Sequence, residues 1–185
     1  AFVADVPRHV CVILDEAYIE FSILQDPDES LALLGKHPNL VILRTFSKAY
    51  GLAGLRVGFA IAHEPVADAL RKTAVPFGVS GVAQQAAIES LRREEALLER
   101  VEAIVAERSR VREGLRALGW SVPVTEANFV WLPLGQDTVE FARMCDAAGI
   151  VVRSFPGEGC RVTVAEPEAG DVLLSIAARW RAGAA

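Results

Sequence analysis

The chain has 185 residues, 52% of them hydrophobic, and 19 Lys and Arg against 24 Asp and Glu give a formal charge of −5. That length allows one domain or two small ones, and that apolar share excludes a disordered chain. The acidic balance with no Lys/Arg stripe argues against nucleic acid as the main partner, and no apolar run approaches the roughly 20 residues that cross a bilayer.

Val10–Leu14 is apolar throughout and fits a parallel strand covered on both faces. It runs into Asp15-Glu16-Ala17-Tyr18. An acid at the carboxyl end of such a strand lies where open α/β sheets bind ligands, although a turn aspartate is the plainer reading. Glu16 has no assigned role and reads as solvated. Residues 20–39 form a polar connection with a short helix near Ser30–Leu34 and turn chemistry at Asp26-Pro27-Asp28. Leu40–Leu43 is a second buried strand. Arg44-Thr45-Phe46-Ser47-Lys48 follows, then Gly51, Gly54, Arg56 and Gly58, and a third apolar run over Leu55–Ala62.

Lysine is usually a solvent residue, and a solvated turn is one reading of Ser47-Lys48. A lysine held among apolar strands has a lowered pKa, as imine chemistry requires. Hydroxyls, an arginine and glycines that admit close backbone approach suit a phosphate. Lysine imine and phosphate together point to pyridoxal phosphate.

Beyond His63, Pro65 suits the first turn of a helix with Val66, Ala69, Leu70 and Thr73 on its less polar face. Val75–Ser80 breaks the pattern. Helices are expected over Gly81–Arg92 and on to about Leu118, where Leu97, Val101, Ile104, Val111, Leu115 and Leu118 make a stripe with Arg108 as its odd member. Trp120–Val124 and Asn128–Leu134 read as strands. Asp137-Thr138-Val139-Glu140 resembles a capping box before a helix that Gly149 ends. Ile150–Phe155 and Cys160–Ala165 form a hairpin, and Glu166-Pro167-Glu168 starts the last helix. Arg153 and Arg161 are symmetric about Gly157, so an odd-numbered loop sets them opposite on one face, whereas an even one turns them to opposite faces. Cys11, Cys145 and Cys160 are far apart and form neither a zinc pattern nor a disulfide framework, which makes a reducing cytoplasm the default.

TFSKAYGLAGLRVG resembles the lysine motif of fold-type I pyridoxal-phosphate aminotransferases, in the histidinol-phosphate and aromatic amino acid branch. The resemblance implies the C-terminal part of a PLP-transferase large domain of α/β type, a mostly parallel sheet with helices, followed by an α+β small domain. The long helix to about Leu118 suits the one that joins the two, which places the boundary near residue 90, giving 1–90 and 91–185. The resemblance makes Lys48 the imine lysine, Arg56 a phosphate ligand, and Thr45 and Ser47 hydroxyl ligands of the same phosphate. Asp15 matches the partner of the pyridinium nitrogen, and Tyr18 the phenol that meets the ring oxygen. GCRVTVAEPE is similar to the family's C-terminal signature, with Ala165 where glycine is usual. Arg161 then forks onto the substrate carboxylate, and Arg153 matches the arginine that reads the distal group. Phe77 and Ser80 fall in a loop that the family places near its active site at a dimer interface, although a plain interhelix loop fits as well.

The implied activity is transamination between an aromatic amino acid and a 2-oxo acid such as 2-oxoglutarate, by a cytoplasmic homodimer. Histidinol-phosphate transamination and a related decarboxylation are the alternatives. The resemblance covers only the C-terminal half of the family's chain. The 185 residues are therefore expected to be part of a longer enzyme and inactive alone.

Overall fold

The computed structural model describes residues 2–24 and 26–183. It divides into two compact units, Ala1–Glu99 and Arg100–Ala185.

The first unit opens with a one-turn helix α1 (Phe2–Asp5) and is built on strands β1 (Val12–Asp15), β2 (Leu40–Thr45) and β3 (Gly58–Ala62) in the order β1-β2-β3. β1 and β2 run parallel, with Asp15 opposite Leu43, because the connection between them is long enough to cross over and carries helix α2 (Glu29–Leu34). β3 returns antiparallel to β2 after the short Phe46–Val57 segment, pairing Thr45 with Gly58. Leu40, Val41 and Ile42 are buried. β1 alternates in burial and leaves Ile13 63% exposed, so within this unit it is not covered on both faces as its composition suggested. β3 is likewise open over Gly58-Phe59-Ala60.

Helix α3 (Glu64–Thr73) has Pro65 in its first turn, but its expected inner face is open: Leu70 and Thr73 are exposed and only Val66 is half-buried. Helix α4 (Gly81–Arg92) starts at Ser80, whose Oγ accepts from the Ala83 amide at 3.2 Å. That capping bond satisfies one of the orphan donors of the first turn. Ala83 and Ala87 are buried against Phe46 and Val57, so the small face of α4 supports the segment that follows β2.

Helix α5 (Glu94–Ala117) runs across the division. The second unit adds β4 (Phe129–Pro133), α6 (Thr138–Ala147), β5 (Arg153–Phe155), β6 (Gly159–Thr163) and α7 (Pro167–Arg181). Its sheet is antiparallel in the order β4-β6-β5. Val130, Leu132, Cys160 and Val162 face a core shared with Val111, Leu115, Phe141, Leu173 and Ile176. The chain is thus an α/β sheet unit followed by an α+β unit.

Two local expectations are corrected, and the odd charge on the α5 stripe is accounted for. Trp120–Val124 is irregular: Trp120 and Val122 are buried, yet Pro123 has no amide to donate, and the Trp120 indole bonds instead to the Ala177 carbonyl at 3.3 Å. The capping box does not form, because Asp137 is already helical (φ −80°, ψ −2°) at the end of a 3-10 turn, Gly135–Asp137. There the Thr138 hydroxyl donates to Gly135 at 2.6 Å. Arg108 is 3% exposed and donates to the Ala127 carbonyl at 3.0 Å, with Glu126 at 3.9 Å. It belongs to the buried side of α5 as an anchored charge.

Candidate functional site

In the first unit, the ends of two neighbouring parallel strands carry the candidate side chains. β1 ends at Asp15 and β2 leads through Thr45, Phe46 and Ser47 to Lys48. The Lys48 ammonium lies over the Tyr18 ring, 5.4 Å from its centroid. Lys48 is exposed within this unit, which corrects the expectation of an apolar enclosure. Asp15 is exposed too, and its Oδ1 accepts from the Ala17 amide at 3.0 Å. The turn role and a ligand role are compatible, since this bond engages only Oδ1 and a carboxylate offers about four lone-pair sites.

The segment from Phe46 to Val57 folds back on itself. Phe46 donates to Val57 and Leu52 donates to Phe46, at 3.1 and 2.9 Å. The Thr45 hydroxyl accepts from the Ser47 amide at 3.1 Å and reaches the Val57 carbonyl at 3.4 Å. Phe46 stacks at a tilt on Tyr50 and Phe59, with centroids 4.7 and 5.9 Å away. Arg56 is held left-handed at φ 56°, a conformation a non-glycine residue rarely adopts, and its guanidinium donates to the Ala53 carbonyl at 2.9 Å. Gly58 is required by space: an added Cβ would lie 2.9 Å from the Arg44 carbonyl oxygen. Thr45, Ser47 and Arg56 thus occur on one folded segment, as hydroxyl and guanidinium donors suited to an anion.

Sequence reasoning missed the charges behind this segment. Glu16, read as solvated, is 8% exposed, and its Oε2 accepts from the Arg44 Nε at 2.9 Å. Arg44 also donates to the Pro27 carbonyl and lies 3.5 Å from the Ser30 hydroxyl. Burial pushes the Glu20 carboxyl above its ordinary value, against the pull of its own amide and of Arg44, with Glu16 adding to the rise. Tyr50 is pushed up by burial, then by Glu20 and Glu94. Glu16 follows the strand aspartate and Arg44 precedes Thr45, but their pairing rests on the β1–β2 register, which no local pattern announces.

In the second unit, Arg153 and Arg161 are direct partners across β5 and β6. Their guanidiniums diverge, Arg153 over Phe155 and Arg161 over Phe129, each at 5.2 Å from the ring centroid. Trp131 lies opposite Arg161 on β4 and meets Phe155 edge-on at 5.6 Å. One face of this sheet therefore carries two arginines among three aromatic rings. The Arg161 Nε is buried with no hydrogen-bond partner among the described residues. A buried donor left unpaired costs free energy, so a ligand acceptor there is favoured. Phe77 is fully exposed at φ 57° and Ser80 is committed to its capping bond. Among the described residues no helix is long and apolar enough to cross a membrane.

Comparison with known proteins extends these observations. An aromatic amino acid aminotransferase of Streptomyces avermitilis is 61% identical over 182 residues, covering 97% of this chain and 50% of that protein. One of Thermobifida fusca is 56% identical over 178 residues, covering 95% and 49%. The crystal structure of histidinol-phosphate aminotransferase from Sinorhizobium meliloti in complex with pyridoxal-5'-phosphate superposes with a TM-score of 0.83 at 30% identity, covering 100% of this chain and 52% of that one. The chain spans about half the length of the curated relatives it matches. The family model for aminotransferase class I and II matches residues 3–175, and the chain belongs to that family.

Proposed function

We propose that the protein to which this chain belongs is a pyridoxal-phosphate-dependent aminotransferase that exchanges the amino group of an aromatic amino acid with a 2-oxo acid. The observation that carries the reading is the placement of Asp15 at the end of β1 and of Lys48 three residues past the end of the parallel β2, with Tyr18 beneath the lysine. The donor set fits the cofactor: Thr45, Ser47 and Arg56 would hold the phosphate, Tyr18 the ring oxygen, and Lys48 the covalent attachment. When bound, pyridoxal phosphate supplies the electron sink. Asp15 would hold a proton on the ring nitrogen, as a carboxylate opposite a cation does. The Lys48 amine would serve as base and acid for the proton on the substrate's α-carbon. Arg161 forks onto the substrate carboxylate, a geometry that lysine lacks.

The aromatic substrate is supported by the names of the relatives and by Phe129, Trp131 and Phe155 beside Arg161. Histidinol phosphate is the second reading, favoured by the solved relative and by Arg153, a cation free to meet a phosphate. The reading carries a cytoplasmic homodimer with it, and 1–90 and 91–185 as its domain portions. Borohydride reduction of the cofactor-loaded protein should label Lys48, and label on Lys36 or Lys72, the two other lysines, would refute the assignment. The ratio of kcat/KM for phenylalanine and histidinol phosphate decides the substrate. A tenfold preference for histidinol phosphate, about 1.4 kcal/mol, would overturn the aromatic reading.

A further inference from the structure

β1 and β2 are neighbours without being joined by a tight turn. Parallel strands need a long crossover, so their relative position at the ends must be fixed by other means. Two buried side chains do this. At the amino ends, Asn39, itself buried, donates from Nδ2 to the Val10 carbonyl at 2.8 Å. At the carboxyl ends, Glu16 accepts from Arg44 at 2.9 Å, and the Glu16 amide donates to the Leu43 carbonyl at 2.9 Å. The side chains of this ion pair are 6% and 16% exposed, so solvent screens it little. Each member adjoins a candidate site residue: Glu16 follows Asp15, and Arg44 precedes Thr45 on the segment that reaches Lys48. Arg44 further holds the Pro27 carbonyl and lies near Ser30, so the crossover is fastened at the same point. Glu20 lies in the same cluster and adds a second acid, with its Oε2 unpartnered among the described residues. One guanidinium thus holds a buried carboxylate and a carbonyl, and its charge is felt by a second carboxylate nearby.

We propose that Glu16 and Arg44 are positioning residues of the cofactor site, whose buried ion pair fixes the end of β1, with Asp15, against the end of β2, which delivers Lys48. This rests on the functional reading above. A buried pair is weak support for stability, because desolvation offsets the attraction, so its retention here is read as geometric specificity. Neither residue touches the cofactor; both act through their chain neighbours.

The test uses the whole protein loaded with pyridoxal phosphate and compares Glu16→Gln, Arg44→Met and the double variant. Leu40→Val, at the far end of β2 where Leu40 is fully buried, serves as the stability control. The readouts, taken well below every Tm, are the affinity for pyridoxal phosphate by dialysis and the rate of borohydride labelling of Lys48 per bound cofactor. Each single variant should slow labelling by about ten- to a hundredfold, the scale of a misplacement of about 1 Å. The double variant should lose no more than the worse single one, and Leu40→Val should lower Tm while labelling normally. Labelling undiminished in Glu16→Gln, or losses that simply multiply in the double variant, would overturn the positioning role alone. A loss in Leu40→Val matching that in Glu16→Gln would assign the effect to stability and also overturn it. No label on Lys48 in the unsubstituted protein would overturn the functional reading and this proposal with it.

Discussion

Gly159 opens β6, the central strand of the second unit, and its replacement by alanine tests the packing that supports the arginine face. The residue is buried and pairs with Pro133 on one side and Phe155 on the other. A Cβ there would meet the Leu132 carbonyl oxygen well inside contact distance, the Leu132 carbonyl carbon at 3.1 Å and Trp131 Cζ2 at 2.8 Å. The indole can rotate, but the carbonyl belongs to the neighbouring strand, so β4 and β6 must part. Overpacking of this kind costs about 1–3 kcal/mol, and backbone contact puts Gly159→Ala at about 3. A unit of this size loses about 4–8 °C per kcal/mol, so Tm should fall by about 12 °C or more. All three tryptophans, Trp120, Trp131 and Trp180, lie in the second unit, so tryptophan fluorescence reports its melting directly. Gly157→Ala is the companion. There the backbone is left-handed (φ 83°) and the space is open, so only the conformational cost of about 1–2 kcal/mol applies. An unchanged Tm in Gly159→Ala, or a larger loss in Gly157→Ala, would refute the steric reasoning.

Arg108→Ala should cost about 2–4 kcal/mol in the same fluorescence melt, because it empties a buried site and strips the Ala127 carbonyl of its donor, whereas Arg108→Met, keeping the stem, should lose less. Of the three thiols only Cys11 is exposed, and burial pushes Cys145 up to about 12 and Cys160 upward too, so one thiol per chain should alkylate quickly at neutral pH. A raised thiol favours the folded state below the ordinary value of 9.0; stability should therefore fall as pH rises from there through about 12, and a flat urea midpoint over that range would contradict the burial. Burial also raises Glu20 above 4.5, so its contribution is present below that pH and lost as pH rises through the folded value; Glu20→Gln should accordingly raise Tm at pH 7 and change it little at pH 4. Asp15→Ala in the loaded whole protein should still bind cofactor but slow substrate proton abstraction by up to about 4 kcal/mol, on the scale of a lost ion pair, as stopped-flow absorbance would reveal. The 185-residue chain by itself, spanning about half of its relatives, should show no transamination above background in a coupled 2-oxoglutarate assay.

What could be read from the chain depended on how locally each feature is encoded. Helix α4 was legible to both ends, since Gly81 follows a capping serine and the helix needs only its own hydrogen bonds. The facing of Arg153 and Arg161 was legible only as one of two outcomes, because side-chain alternation sets them together for an odd loop and apart for an even one, and the structure has them as direct partners. Trp120–Val124 misled for a related reason: alternate burial looks like a strand whether or not a neighbour supplies the ladder, and here no strand does. The solvent-open sides of β1 and β3 were hidden by composition, since apolar residues specify a partner surface without saying whether these residues contain it.

Two buried charges, Glu16, read as solvated, and Arg108, noted only as the odd member of an apolar stripe, show where such reading stops. Residue type alone favours exposure for both, since acidic and basic side chains are rarely buried unless paired. Each is buried because its partner comes from a distant stretch: Arg44, 28 positions on, for Glu16, and the Ala127 carbonyl, 19 positions on, for Arg108. The partner in the second case is a backbone atom, which leaves no residue-type signal at all. Buried charge therefore marks the places where separate segments must meet in one register, and at Glu16 those segments are the two that carry Asp15 and Lys48. A pair placed there does little that a leucine pair could not do for stability, yet it specifies a register that a leucine pair would leave free to slide. That difference between holding and placing is why the ion pair, rather than the apolar strands around it, is the feature of the first unit most closely tied to its chemistry.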